Sequence, residues 1–203
     1  MRHNLEQAVV CVIGLGYVGL PLAQAFAKSL KVIGFDTDNK RIKQLKSINQ
    51  PNLNFTANPK EISKADFIVI CVPTPVTKSK EPDLFYVKSA AKIASQNMKK
   101  DSVVILESTV YPGTTEEVVK PILEESGLKC GEDFKIAYSP ERINPGDKKH
   151  ALDKITKVIN DDYLMRQPRK ASLDLSNNTA DGACFISCWD NYAYHFWLKW
   201  AGH

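Results

Sequence analysis

Val12-Ile13-Gly14-Leu15-Gly16-Tyr17-Val18-Gly19 is the stretch on which the fold turns. It follows the apolar run 8–13 and precedes the amphipathic stretch 20–30, so a Gly-x-Gly-x-x-Gly string closes a strand and opens a helix. In that setting Gly14 permits the tight turn, Gly16 lets backbone come close to a pyrophosphate, and Gly19 lets the helix pack against the strand. Leu15, Tyr17 and Val18 complete the loop, whose helix-terminal amides face the phosphates. The string alone is a weak signal, but its surroundings strengthen it. A second run, Lys31-Val32-Ile33-Gly34-Phe35, ends in Asp36, 22 residues beyond Gly14. A carboxylate there accepts from two ribose hydroxyls and repels a 2′-phosphate, so the expected cofactor is NAD rather than NADP. Arg41 stands either near the adenosine and pyrophosphate or as a solvated helix arginine.

The same rhythm continues outward to residue 158. Strands are expected at 8–13, 31–35, 67–72, 102–107 and 134–138, and helices over 20–30, 39–46, 84–98 and 115–125, with Asp83 and Thr114 as N-caps. Runs such as Phe67-Ile68-Val69-Ile70-Cys71-Val72 lack polar alternation, the mark of strands covered on both faces. The fold class is therefore α/β, a Rossmann-type doubly wound parallel sheet.

Composition narrows the partners. The 203 residues carry 27 basic and 23 acidic groups, interspersed, without the basic stripe that nucleic-acid binding requires. No apolar run approaches the roughly 18 residues that cross a bilayer, and no signal-peptide pattern follows Met1, so a cytoplasmic protein without a membrane partner is expected. Five cysteines, Cys11, Cys71, Cys130, Cys184 and Cys188, are odd in number and dispersed, which suits reduced, mostly buried thiols. Cys184, Cys188, His195 and His203 fit no tetrahedral metal spacing, and no metal is expected.

Ligands of this architecture collect at the carboxyl ends of the strands. Val72-Pro73-Thr74-Pro75 ends one strand, where prolines stop the ladder and Thr74 can turn a hydroxyl toward the cofactor. Glu107-Ser108-Thr109-Val110-Tyr111-Pro112-Gly113-Thr114 ends the next, and Ser139-Pro140-Glu141-Arg142-Ile143-Asn144-Pro145-Gly146-Asp147 the one after. Convergence of Thr109 and Glu141 would put a hydroxyl and a carboxylate where a substrate alcohol is held and a proton moved. Taken singly, Glu141 also reads as a surface residue or a cap.

The stretch 10–158, about three-quarters of the chain, resembles the N-terminal domain of the UDP-glucose/GDP-mannose dehydrogenase family. The glycine string through Leu22, Cys71–Pro75 with Glu81–Leu84, Glu107–Glu117 and Ser139–Asp147 carry the likeness in order. The resemblance implies NAD-dependent oxidation of the C6 alcohol of a nucleotide sugar to a carboxylate, for polysaccharide synthesis. It implies that Val72, Pro73, Thr74, Ser108 and Thr109 line the cofactor site, and that Thr109 and Glu141 belong to the catalytic site, holding and activating water. Pro145 stands where UDP-glucose enzymes carry a further glutamate, which points to a UDP-N-acetyl-hexosamine as substrate. The stretch 44–58 is shorter than in the family and is expected to lack a helix.

After about residue 159 the likeness and the rhythm stop. The segment 159–203 holds Trp189, Trp197 and Trp200, and no cysteine in the chain stands in the Gly-Gly-x-Cys setting of the family's thiol nucleophile. Two units are expected, an NAD-binding domain over 1–158 and an atypical tail, from a truncated or frame-shifted gene. Such a chain would bind NAD but turn over little or not at all. A non-catalytic module working through a partner chain is the alternative, an inert gene fragment that folds without binding anything is a further rival, and the Trp-rich end suits a contact with the sheet edge or a second copy, as in a homodimer.

Overall fold

The computed structural model describes residues 7–76 and 82–139. Six strands are laid down in chain order: β1 (Val9–Ile13), β2 (Lys31–Phe35), β3 (Leu53–Thr56), β4 (Phe67–Ile70), β5 (Val103–Leu106) and β6 (Lys135–Tyr138). They form one parallel sheet in the order β3-β2-β1-β4-β5-β6. That order reverses direction between β1 and β4, the switch point where a crevice opens at the carboxyl ends of the strands.

Successive residues of each strand face opposite sides, so the continuous apolar runs build two cores. Val10, Val12, Phe67 and Val69 pack with Leu22, Phe26, Ile42 and Leu45, which belong to α1 (Gly19–Phe26) and α2 (Asn39–Leu45). Cys11, Ile13, Ile68 and Ile70 pack on the other face with Val87, Ala91 and Ala94 of α3 (Phe85–Asn97) and Leu123 of α4 (Lys120–Glu124). Burial pushes the Cys11 thiol up from its ordinary range, which keeps it a neutral packing group rather than a thiolate. The described cysteines, Cys11, Cys71 and Cys130, are all free thiols.

The structure corrects the sequence reading in four places. β3 is a sixth strand beyond the five expected. Leu53-Asn54-Phe55-Thr56 is a short edge strand paired only to β2, and just Phe55 is buried, so neither an apolar run nor a full alternation marks it. The expected helix 115–125 begins as a wide turn over Thr115–Val119, in which the Lys120 amide donates to the Thr115 carbonyl five residues back. Pro121 in the first turn of α4 accounts for this, since proline has no N–H and crowds the carbonyl four residues earlier. Thr114 holds the N-cap position as expected, but its side chain makes no capping bond: its hydroxyl donates to the Tyr111 carbonyl at 2.7 Å. The N-cap position of α3 is Leu84 rather than Asp83, although Asp83 Oδ1 accepts from the Phe85 amide at 2.9 Å and satisfies one open donor. Glu141, Pro145 and the expected boundary at 158, with the tail beyond it, lie outside the described residues.

Candidate cofactor site

Every functional element described here stands at the carboxyl edge of the sheet because backbone bonds carry the ladder past the strand ends. Gly14 donates to the Phe35 carbonyl at 2.9 Å, Cys71 to that of Ile13 at 2.8 Å, and Glu107 to that of Ile70 at 2.8 Å. The loop after β1 is thereby sewn to the ends of β2 and β4.

Three glycines in that loop answer to different constraints. Gly14 has φ of +91°, and a Cβ there would lie 2.5 Å from the Cys71 carbonyl oxygen. A Cβ on Gly19 would fall inside the van der Waals envelope of the Gly14 carbonyl oxygen and 3.1 Å from Cys71 Cβ. Gly16 differs, because a Cβ added to it meets no protein atom within 4 Å. Its backbone is not in the left-handed region either, so nothing inside the protein demands glycine at 16. The amides of Gly16, Tyr17 and Val18 find no acceptor among the described residues, while the Gly16 carbonyl receives the Leu20 amide as the helix begins. Open space facing unengaged amides at a helix start is the surrounding a pyrophosphate needs. The side chains of Leu15 and Val18 are buried in the core, whereas Tyr17 is 62% exposed beside that space.

Asp36 sits just beyond β2 and is already engaged. Its Oδ2 accepts from the Leu15 amide at 2.9 Å and its Oδ1 from the Asp38 amide at 2.9 Å. A carboxylate offers about four acceptor directions, so each oxygen keeps capacity for a ribose hydroxyl. Arg41 donates from Nε to the Leu15 carbonyl at 2.6 Å. One residue, Leu15, is thus held by Asp36 through its N–H and by Arg41 through its carbonyl. Neither bond is written in the local sequence pattern, since the partners lie 21 and 26 positions apart.

The loops after β4 and β5 form the opposite wall. Thr74 Oγ1 donates to the Thr109 carbonyl at 2.7 Å, and Ser108 Oγ donates to the Val72 carbonyl at 2.8 Å. The Thr74 hydroxyl, expected to turn toward a cofactor, has its proton directed at the neighbouring loop and retains only acceptor capacity for a ligand. These reciprocal bonds fix the spacing of Val72, Pro73 and Thr74 against Ser108 and Thr109. Ser108 is buried and Thr109 exposed, so of this pair Thr109 has the side chain open to a substrate. Glu107, not singled out from the sequence as a site residue, is 1% exposed at the base of this wall. Ser108→Ala is expected to cost about 1 kcal/mol of stability, because the Val72 carbonyl loses its donor; urea unfolding with an unchanged slope checks it. Among the described residues no three His, Cys, Asp or Glu side chains are grouped to hold a metal ion, and no helix is long and apolar enough to cross a membrane.

Comparison with known proteins agrees with this geometry. Residues 8–163 match the model of the UDP-glucose/GDP-mannose dehydrogenase family, NAD binding domain. Protein CapL of Staphylococcus aureus is 47% identical over 168 residues, covering 76% of this chain and 40% of that protein. A UDP-N-acetyl-D-glucosamine 6-dehydrogenase of Salmonella typhi is 44% identical over 169 residues, with 76% of this chain and 40% of the relative covered. The solved structure of a UDP-D-ManNAc dehydrogenase from Pyrococcus horikoshii superposes with a TM-score of 0.63 at 35% identity, covering 68% of this chain and 37% of that one. The chain thus spans about two-fifths of the length of the curated relatives it matches.

Proposed function

This chain belongs to the UDP-glucose/GDP-mannose dehydrogenase family as its NAD-binding domain, and we propose that it serves the oxidation of the C6 alcohol of a UDP-N-acetyl-hexosamine to the uronate. The observation that carries the cofactor half of this reading is the open space before Gly16, faced by the free amides of Gly16, Tyr17 and Val18 and flanked by Asp36. NAD supplies the hydride acceptor; the protein supplies its placement. The loop amides orient the pyrophosphate, Asp36 takes the adenosine ribose, and the wall built by Thr74 and Ser108 sets the distance between cofactor and substrate. Thr109 holds the water or the alcohol at the mouth of that wall, and Glu141 is the group proposed to move the proton.

The N-acetylated sugar is supported by Pro145 in the sequence and by relatives named for UDP-N-acetyl-D-glucosamine and UDP-N-acetyl-D-mannosamine. A cytoplasmic location and a role in surface-polysaccharide synthesis follow from that substrate, and the free thiols suit a reducing compartment.

The test couples an NAD titration by calorimetry to NADH formation with UDP-N-acetylglucosamine or UDP-N-acetylmannosamine. Saturable NAD binding supports the cofactor reading and NADH formed with either sugar supports the substrate; no heat with NAD overturns the cofactor site. Asp36→Ala is expected to weaken NAD by about 1 to 3 kcal/mol, since charged hydrogen bonds to the ribose are lost and the Leu15 amide is released. An unchanged dissociation constant would remove Asp36 from the site.

A further inference from the structure

The strand order sets β5 between β4 and β6, so the loop that leaves β5 has a neighbour on each side. From the β4 side, Thr74 Oγ1 donates to the Thr109 carbonyl at 2.7 Å. From the β6 side, the phenol oxygen of Tyr138 accepts from the Val110 N–H. Tyr138 is the last residue of β6, opposite Leu106 at the end of β5, and both it and Val110 pack against the same apolar cluster. The Thr109 carbonyl and the Val110 N–H are the two polar groups of one peptide unit. That unit is therefore held at both ends, by side chains that reach it from the two flanking strands.

We infer that Tyr138 is a positioning residue of the proposed site: by holding the Val110 N–H while Thr74 holds the Thr109 carbonyl, it fixes the Thr109–Val110 peptide and with it the direction of the Thr109 hydroxyl. The inference rests on the reading of Thr109 as a site residue. A peptide unit is planar, so tying down both of its polar groups sets ψ of Thr109. Threonine is branched at Cβ and has few χ1 choices, so the exposed hydroxyl is then left with few directions. Ser108, one residue earlier, is bonded to the Val72 carbonyl, and without Tyr138 these three loop residues would be tied to the β4 side alone. Burial pushes the Tyr138 phenol above its usual range, which keeps it neutral at ordinary pH and the contact constant there. Tyr138 also stands three positions before Glu141 in the chain. The strand that leads to the proposed proton carrier is thus tied to the loop that bears Thr109.

Amide hydrogen exchange, followed by NMR, and the dissociation constant for NAD are measured on the full chain for wild type, Tyr138→Phe, Thr74→Val and the double variant. Tyr138→Phe removes one oxygen and keeps the ring. The Val110 amide should then exchange about tenfold faster or more, while the amides of Val104, Ile105 and Leu106 in β5 keep their protection. NAD should bind about three- to tenfold more weakly. Because both side chains act on one peptide, the double variant should lose clearly less affinity than the product of the two single losses, a coupling that a packing role would not produce. Should Tyr138→Phe fail to fold, Thr74→Val decides: releasing the carbonyl must loosen the other end of the same peptide, read as faster exchange at Val110. Unchanged Val110 exchange, faster exchange with unaltered NAD affinity, or single losses that simply multiply overturns the inference. A wild-type chain that binds no NAD overturns the cofactor reading instead, and the Val110 exchange rates still judge the clamp.

Discussion

Gly19→Ala is expected to lose NAD affinity by a hundredfold or more and to destabilise the domain by about 3 kcal/mol, whereas Gly16→Ala should lose affinity with stability almost untouched. The two residues lie three positions apart in one loop, so the contrast separates their causes. A methyl on Gly19 collides with the Gly14 carbonyl oxygen, and backbone cannot yield as a flexible side-chain tip does. Gly14 cannot retreat either, because its amide is bonded to Phe35 and its φ of +91° is already a glycine conformation. The loop must therefore open, and an ångström of displacement at a phosphate-binding amide suffices for the loss of affinity. A methyl on Gly16 meets no protein atom within 4 Å, so a stability change within about 0.5 kcal/mol is expected. Its cost falls on the ligand, whose phosphates would occupy that volume. Thermal unfolding beside an NAD titration reads both quantities; an alanine at 16 that binds NAD as wild type does would place the pyrophosphate elsewhere.

The second large effect is Phe26→Ala. Phe26 is 0% exposed, closes α1 against the sheet, and lends its carbonyl to the Ser29 and Leu30 amides that return the chain to β2. Truncating a fully buried phenylalanine costs about 3–5 kcal/mol through lost transfer energy and the cavity left behind. Against a total stability of about 5–15 kcal/mol that is enough to populate unfolded chain at ordinary temperature. The urea midpoint should fall with an unchanged slope. Saturating NAD should return about 2.7 kcal/mol at a hundred times its dissociation constant, because the ligand binds only the folded loop. A midpoint that NAD fails to raise would mean that the altered helix no longer presents its amides, a defect of the site rather than of the core.

The elements that could be read before the structure share one physical property, which is that their determinants are contiguous. β1, β2, β4, β5 and β6 are apolar runs because each is covered on both faces, and a run is visible without knowing what covers it. β3 escaped because only one of its four residues, Phe55, is buried, so it shows no apolar run. The ends of the expected strands also shrank: Cys71 and Val72 extend the apolar run but lie beyond the end of β4, with the Cys71 amide still bonded to the Ile13 carbonyl.

For the candidate site, the sequence by itself determined which residue types stand at the carboxyl ends of the strands. Three glycines, one acid at the end of the second strand and hydroxyls after two later strands follow from backbone geometry and charge, which act over a few residues. Only the tertiary structure decided what those groups do before a ligand arrives. Asp36 and Arg41 clamp Leu15 through its N–H and its carbonyl, and Thr74 and Ser108 tie two loops together through bonds spanning 35 and 36 positions. A hydroxyl or a carboxylate takes the nearest well-aligned partner, and which partner is nearest is settled by the sheet order that brings β2, β1, β4 and β5 side by side.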